Sequence, residues 1–69
     1  MTFDVKFVWT DKIWYAKCEE LNTTLEDGSF DVLLFRIKMA IPEMAELNLG
    51  YKGEIRLRYA IERTDVLAG

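Results

Sequence analysis

Sixty-nine residues make one domain and no more. Half of them are hydrophobic (51%), 30% are charged, and the formal net charge is −3. That balance argues against a protein that grips nucleic acid by neutralising its backbone, and it suits a partner that is basic. The chain holds no histidine, which removes the commonest general base and the commonest metal ligand.

In chain order, Phe3 to Trp9 comes first. Phe3, Val5, Phe7 and Trp9 share one side, while Asp4 and Lys6 point to the other, as in a half-buried strand. Thr10 to Lys12 is polar and predicts a turn. A second strand is expected over Ile13 to Glu19, with Trp14, Ala16 and Cys18 inward and Ile13, Tyr15 and Lys17 outward. Leu21 to Thr23 reads as a turn, and Thr23 to Glu26 as a short third strand. Asp27-Gly28 then turns the chain.

Ser29 to Gly50 is the segment with helical period. Phe30, Leu33, Leu34, Ile37, Ala40, Ile41, Met44, Ala45 and Leu47 share one broad face, which needs a sheet to cover. Ser29 is the expected N-cap, and Glu26, Asp27 and Asp31 place negative charge at the positive end of the helix dipole. Asn48 and Gly50 are stop signals. Pro42 removes one hydrogen bond inside the helix and lies away from the apolar face. The far side carries an unexpected stripe, Val32, Phe35 and Met39, flanked by Arg36, Lys38, Glu43 and Glu46. Scattered apolar residues are normal on surfaces. A stripe that is more than scatter would need cover from another molecule.

Tyr51 to Gly53 is a loop, and Glu54 to Arg63 alternates again. Ile55, Leu57, Tyr59 and Ile61 face one way, and Glu54, Arg56, Arg58, Ala60 and Glu62 the other. Thr64 to Gly69 is a tail. The order β-β-β-α-β predicts an α+β domain over residues 1–69, with one helix on one face of a four-stranded mixed sheet. The other sheet face is left open. Val8, Ile13 and Tyr15 make it partly apolar, a second candidate contact surface.

No pattern of catalytic residues emerges, so an enzyme is not expected. Cys18 lacks a histidine and reads as a small core residue. Ser29 has no base to activate it, and Gly28, Gly50 and Gly53 stand alone in turns rather than in a phosphate loop. Glu19, Glu20, Glu26 and Asp27 cluster before the helix, where loop solvation and dipole compensation account for them. Neither a metal nor a cofactor is expected. Lys52, Arg56, Arg58, Tyr59 and Arg63 mix basic and aromatic character, as in some single-strand binders. Glu54 and Glu62 interrupt that pattern, so an RNA-binding module ranks below the other readings. A single cysteine cannot pair within the chain, which fits a reducing cytoplasm. Charges at Asp4, Lys6, Asp11 and Lys12 break any leader-like run, and no apolar stretch approaches a membrane span.

The opening Thr2 to Asp11, the run Ile13-Trp14-Tyr15-Ala16-Lys17, the helix segment Ile41-Pro42-Glu43-Met44-Ala45-Glu46-Leu47-Asn48 and the late Ala60-Ile61-Glu62-Arg63 together resemble the HicB-like antitoxin group. Within that group the pattern is most similar to the small family known as domain of unknown function 1902. The resemblance covers nearly the whole chain. It implies a partial ribonuclease-H-like fold without nuclease activity. It also implies a role in neutralising a small basic, RNA-cleaving toxin. Fuller members add a C-terminal DNA-binding module, where this sequence has only Thr64 to Gly69. The family's Pro-Gly turn after strand two is replaced by Glu19 to Thr23. At Val32 and Phe35 the family pattern more often carries small or polar residues.

The leading expectation is a cytoplasmic, non-catalytic protein-interaction domain using Val32, Phe35 and Met39 on the helix and Ile13 and Tyr15 on the sheet. The alternative is a free-standing homo-oligomer.

Overall fold

The computed structural model describes residues 1–68. Its order is β1 (Thr2–Trp9), β2 (Trp14–Cys18), a single 3-10 turn (Glu19–Leu21), β3 (Thr23–Asp27), α1 (Phe30–Leu49) and β4 (Arg56–Glu62). The strands form one sheet in the order β3-β2-β1-β4. β1 and β2 pair antiparallel with Phe7 opposite Ala16, and β2 and β3 with Ala16 opposite Leu25. β4 joins β1 in parallel, with Val5 opposite Tyr59. The expected β-β-β-α-β architecture, with one helix on a four-stranded mixed sheet, is the observed one.

Alternation explains the core. Phe3, Val5 and Phe7 of β1 and Trp14, Ala16 and Cys18 of β2 face the helix and are buried. Leu33, Ile37, Ile41 and Ala45 of α1 meet them, spaced by three or four residues as one helix face demands. Phe30 fills the end of this layer, its ring 4.9 Å from Phe7 and 5.1 Å from Trp14. At the N-terminus the Ser29 hydroxyl accepts from the Val32 N–H, and the Asp27 carboxylate accepts from the Ser29 N–H at 2.9 Å. Gly50 closes the helix with φ +65°, donating to the carbonyls of Ala45 and Glu46. Only glycine adopts that left-handed conformation without steric cost. Pro42 lies inside α1 and is exposed, as expected.

Several boundaries differ from expectation. The turn read at Leu21 is a 3-10 turn beginning at Glu19, and Leu21 is buried in the core. Its carbonyl gathers the Thr23 hydroxyl and the Asn48 side-chain amide, tying the hairpin to the last helical turn. Asn22 supplies the left-handed residue that reverses the chain. β2 and β4 are shorter than their alternation suggests, and β3 extends one residue further, to Asp27. Leu47 is not on the covered face: it is 78% exposed, near the C-terminal end of the helix. The tail has no regular structure from Arg63 to Ala68, and its final residue, Gly69, lies outside the described residues.

The largest difference concerns β4. Alternation assigns its Ile55, Leu57, Tyr59 and Ile61 to the covered face. The Tyr59 ring does reach the Phe7 ring, 5.7 Å away. Yet Tyr59 is 42% and Ile61 60% exposed. The helix packs mainly on β2, β3 and the 3-10 turn, so at the far edge of the sheet only Ile55 and Leu57 pack half-buried against the core, and the later part of β4 is left exposed.

Candidate interaction surfaces

Among the described residues, three surfaces of the helix and sheet are candidates for contact. The first is the outer side of α1. Val32, Phe35 and Met39 are 46%, 65% and 58% exposed. The i, i+3, i+7 spacing brings them onto one line of the helix, away from the buried Leu33–Ile37–Ile41 line. Below them Arg36 turns back toward β3, donating to the Glu26 carbonyl at 2.8 Å and pairing with the Asp27 carboxylate at 3.4 Å. The stripe is thus bordered on that side by a charge already satisfied within the chain.

The second surface is the open face of the sheet. Ile13 precedes β2 and is half-buried, and Tyr15 stands opposite Val8. The charged residues expected on this face are largely paired with one another. Asp4 stands opposite Arg58 in the β1–β4 pair, and the guanidinium donates to both carboxylate oxygens. That contact holds the Asp4 carboxyl below the usual carboxylate range. Lys6 pairs with Glu62 at 3.2 Å, and Glu20 accepts from the Asp4 backbone N–H at 3.1 Å. Arg56 pairs with Glu54. The arginines that a nucleic-acid reading would use are therefore matched to carboxylates. The structure places Val32, Phe35 and Met39 on the helical side and Tyr15 on the opposite side. It does not bring the five sequence-predicted residues into one patch.

The third surface was missed by sequence reasoning. It is the helix-side face of β4, where Ile55, Leu57 and Tyr59 line a shallow groove with Lys38 and Pro42 of α1. The signal is present, since β4 alternates cleanly, but alternation does not say how far a helix reaches. Sequence reasoning also missed the Arg63 guanidinium, which lies over the Trp9 ring at 5.1 Å.

Cys18 is buried and free, and burial pushes its thiol pKa up, away from the reactive thiolate. Among the described residues no group of three or more cysteine, aspartate or glutamate side chains is placed to hold a metal ion. Glu19 and Glu20 lie on the 3-10 turn while Glu26 and Asp27 end β3, so the acidic cluster of the sequence is divided in space. Among the described residues no helix is long and apolar enough to cross a membrane.

No protein-family model matches the chain, and no curated protein matches it. Among solved structures the chain is similar to the hypothetical protein TTHA1013 of the extremely thermophilic bacterium Thermus thermophilus. The two share 24% identity over 100% of each chain, with a TM-score of 0.68. At that identity the likeness is one of fold.

Proposed function

We propose that this chain is a non-catalytic protein-interaction domain of HicB-like type, working in a reducing cytoplasm. It masks a small basic protein, such as an RNA-cleaving toxin. The observation that carries this reading is the exposed Val32–Phe35–Met39 stripe on a helix whose other face already fills the core. A helix on a sheet needs one apolar line, and this one has two. The stripe offers a short hydrophobic contact, and the net charge of −3 speeds encounter with a basic surface. Tyr15 and Ile13 offer a second, smaller contact on the opposite face.

The test is recovery of the tagged chain from nuclease-treated host lysate, beside a Phe35→Glu variant. The expected result is a small basic protein bound in stoichiometric amount to the wild type and lost with the variant. Retention of the same protein by the variant would remove the stripe from the interface. Failure to recover any basic protein would remove the antitoxin-like reading.

A second reading, a self-associating protein, is favoured by a different observation. The helix-side face of β4 is apolar and uncovered from Tyr59 to Ile61.

A further inference from the structure

We infer that a second copy of this chain pairs with the free edge of β4, antiparallel and centred on Tyr59, to make one continuous sheet across a two-fold axis. The inference rests on β4 alone and stands whether or not a basic partner binds the helix.

The sheet has two edges, and they differ. β3 is five residues long and carries Asp27 opposite the core residue Trp14, a charge on the helix side that discourages edge pairing. β4 is seven residues long, with no proline and no inward-pointing charge. Its sequence, Arg56-Leu57-Arg58-Tyr59-Ala60-Ile61-Glu62, gathers its large apolar groups on one face. Such a strand is a template for another.

The direction of the backbone groups is set by β1. Arg56 donates its N–H to the Met1 carbonyl, and Thr2 is its partner in the parallel ladder. In that ladder the even-numbered residues of β4 bond toward β1. The N–H and C=O groups of Leu57, Tyr59 and Ile61 therefore point out from the free edge, where no other strand among the described residues pairs with them. Antiparallel pairing needs residues of this kind opposite each other, exchanging both hydrogen bonds.

One register satisfies the side chains best. A shift by one residue sets inward groups opposite outward ones and inverts the faces. Centring on Arg58 sets Arg58 against itself, like charge on like charge. Centring on Ala60 brings Glu62 to Arg58, which Asp4 already holds through both carboxylate oxygens. It also leaves Arg56 opposite Thr64, beyond the strand. Centring on Tyr59 pairs the whole strand. Leu57 then meets Ile61 of the other copy, Tyr59 meets Tyr59, and Arg58 meets Ala60. Arg56 meets Glu62 at both ends. The strand is thus self-complementary in charge, as an isologous contact requires. The present partners of these two groups, Glu54 and Lys6, make exposed pairs that hold them weakly.

The same arrangement explains an otherwise unpacked feature. The chain has a radius of gyration of 13.5 Å, where a compact chain of this length has about 11 Å. Val66 and Leu67 of the tail are almost wholly exposed. In the Tyr59-centred pairing this tail continues alongside Ile55 and the loop of the other copy.

The experiment is sedimentation equilibrium over a concentration series. It uses the wild type, Arg56→Glu, Glu62→Arg and an equimolar mixture of these two variants, with Phe35→Glu run beside them. The wild type is expected at twice 8.1 kDa. Each β4 variant alone sets like charges opposite each other at both ends, so its dissociation constant is expected to rise about tenfold or more. Both should keep the wild-type circular dichroism. In the mixture a copy of one variant faces a copy of the other. Each end then pairs an acidic group with a basic one again, and the dimer is expected to return. A wild type that is monomeric throughout would overturn the inference. So would β4 variants that dimerise as the wild type does, or a mixture that fails to recover. A dimer abolished by Phe35→Glu but untouched by the β4 variants would assign self-association to the helix stripe instead.

Discussion

At the scale of single residues, burial and charge pairing divide the work. Ile37 is wholly enclosed between α1 and the sheet. Removing its side chain leaves a cavity, so Ile37→Ala is expected to cost about 2–5 kcal/mol. A domain of this length has roughly 3–10 kcal/mol in all. The urea midpoint of that variant should fall by a large fraction, with partial unfolding already in buffer. Asp4 behaves differently. Arg58 lowers its carboxyl pKa in the folded chain. A group whose folded value is depressed contributes stability above its unfolded pKa and loses it as pH falls through the folded value. Urea midpoints of the wild type should therefore fall as the acid range is entered. In Asp4→Asn that part of the pH dependence should be absent, with the two proteins converging at the lowest pH. A difference that stayed constant with pH would show that the pair contributes only packing. The buried pattern of β1 and β2 could be read directly from alternation. The Asp4–Arg58 pair could not, because it depends on β4 lying parallel to β1 in one register, 54 residues further along the chain.

At the scale of elements, the termini of α1 were legible and its reach was not. Ser29 caps through its hydroxyl, and Gly50 closes in the left-handed region, both as local chemistry predicts. Ser29→Ala is expected to destabilise by about 1 kcal/mol. That should lower the thermal midpoint by roughly 4–8 °C for a domain this small. A midpoint within about a degree of wild type would mean that the Ser29 hydroxyl adds little to the helix end. The 3-10 turn shows the limit of pattern reading. Leu21 stands among polar residues with no periodicity to mark it. Its burial follows from the hairpin folding back beneath the helix end, where Asn48 holds its carbonyl. Leu47 shows the converse. The helical wheel counts it with the core, but near the end of α1 it is left exposed.

At the scale of the whole molecule, one helix cannot cover four strands. A helix is about 10–12 Å across with its side chains, and strands lie about 4.8 Å apart. α1 sits toward the β3 edge, so β4 is covered only in part: Ile55 and Leu57 pack half-buried against the core, while Tyr59 and Ile61 are exposed. The molecule thus presents two apolar surfaces of different kinds: a ridge on the helix and a flat edge on the sheet. Their effects should separate. Phe35→Glu replaces an exposed side chain and is expected to leave stability within about 0.5 kcal/mol of the wild type, while weakening capture of a basic partner. A marked loss of stability would mean that Phe35 packs within the fold.

The amino-acid sequence by itself determined the order of elements, the strand faces, the helix caps and the second apolar line on α1. Each of these depends on neighbours within a few residues, through the two-residue period of a strand or the 3.6-residue period of a helix. Only the tertiary structure decided which strands are edges, which arginines are already paired and which apolar face goes uncovered. Those outcomes depend on where distant segments meet: β4 beside β1, α1 over β2 and β3. A strand that alternates as a buried strand does can still end at the rim of the sheet, and its inward face then becomes an outer surface.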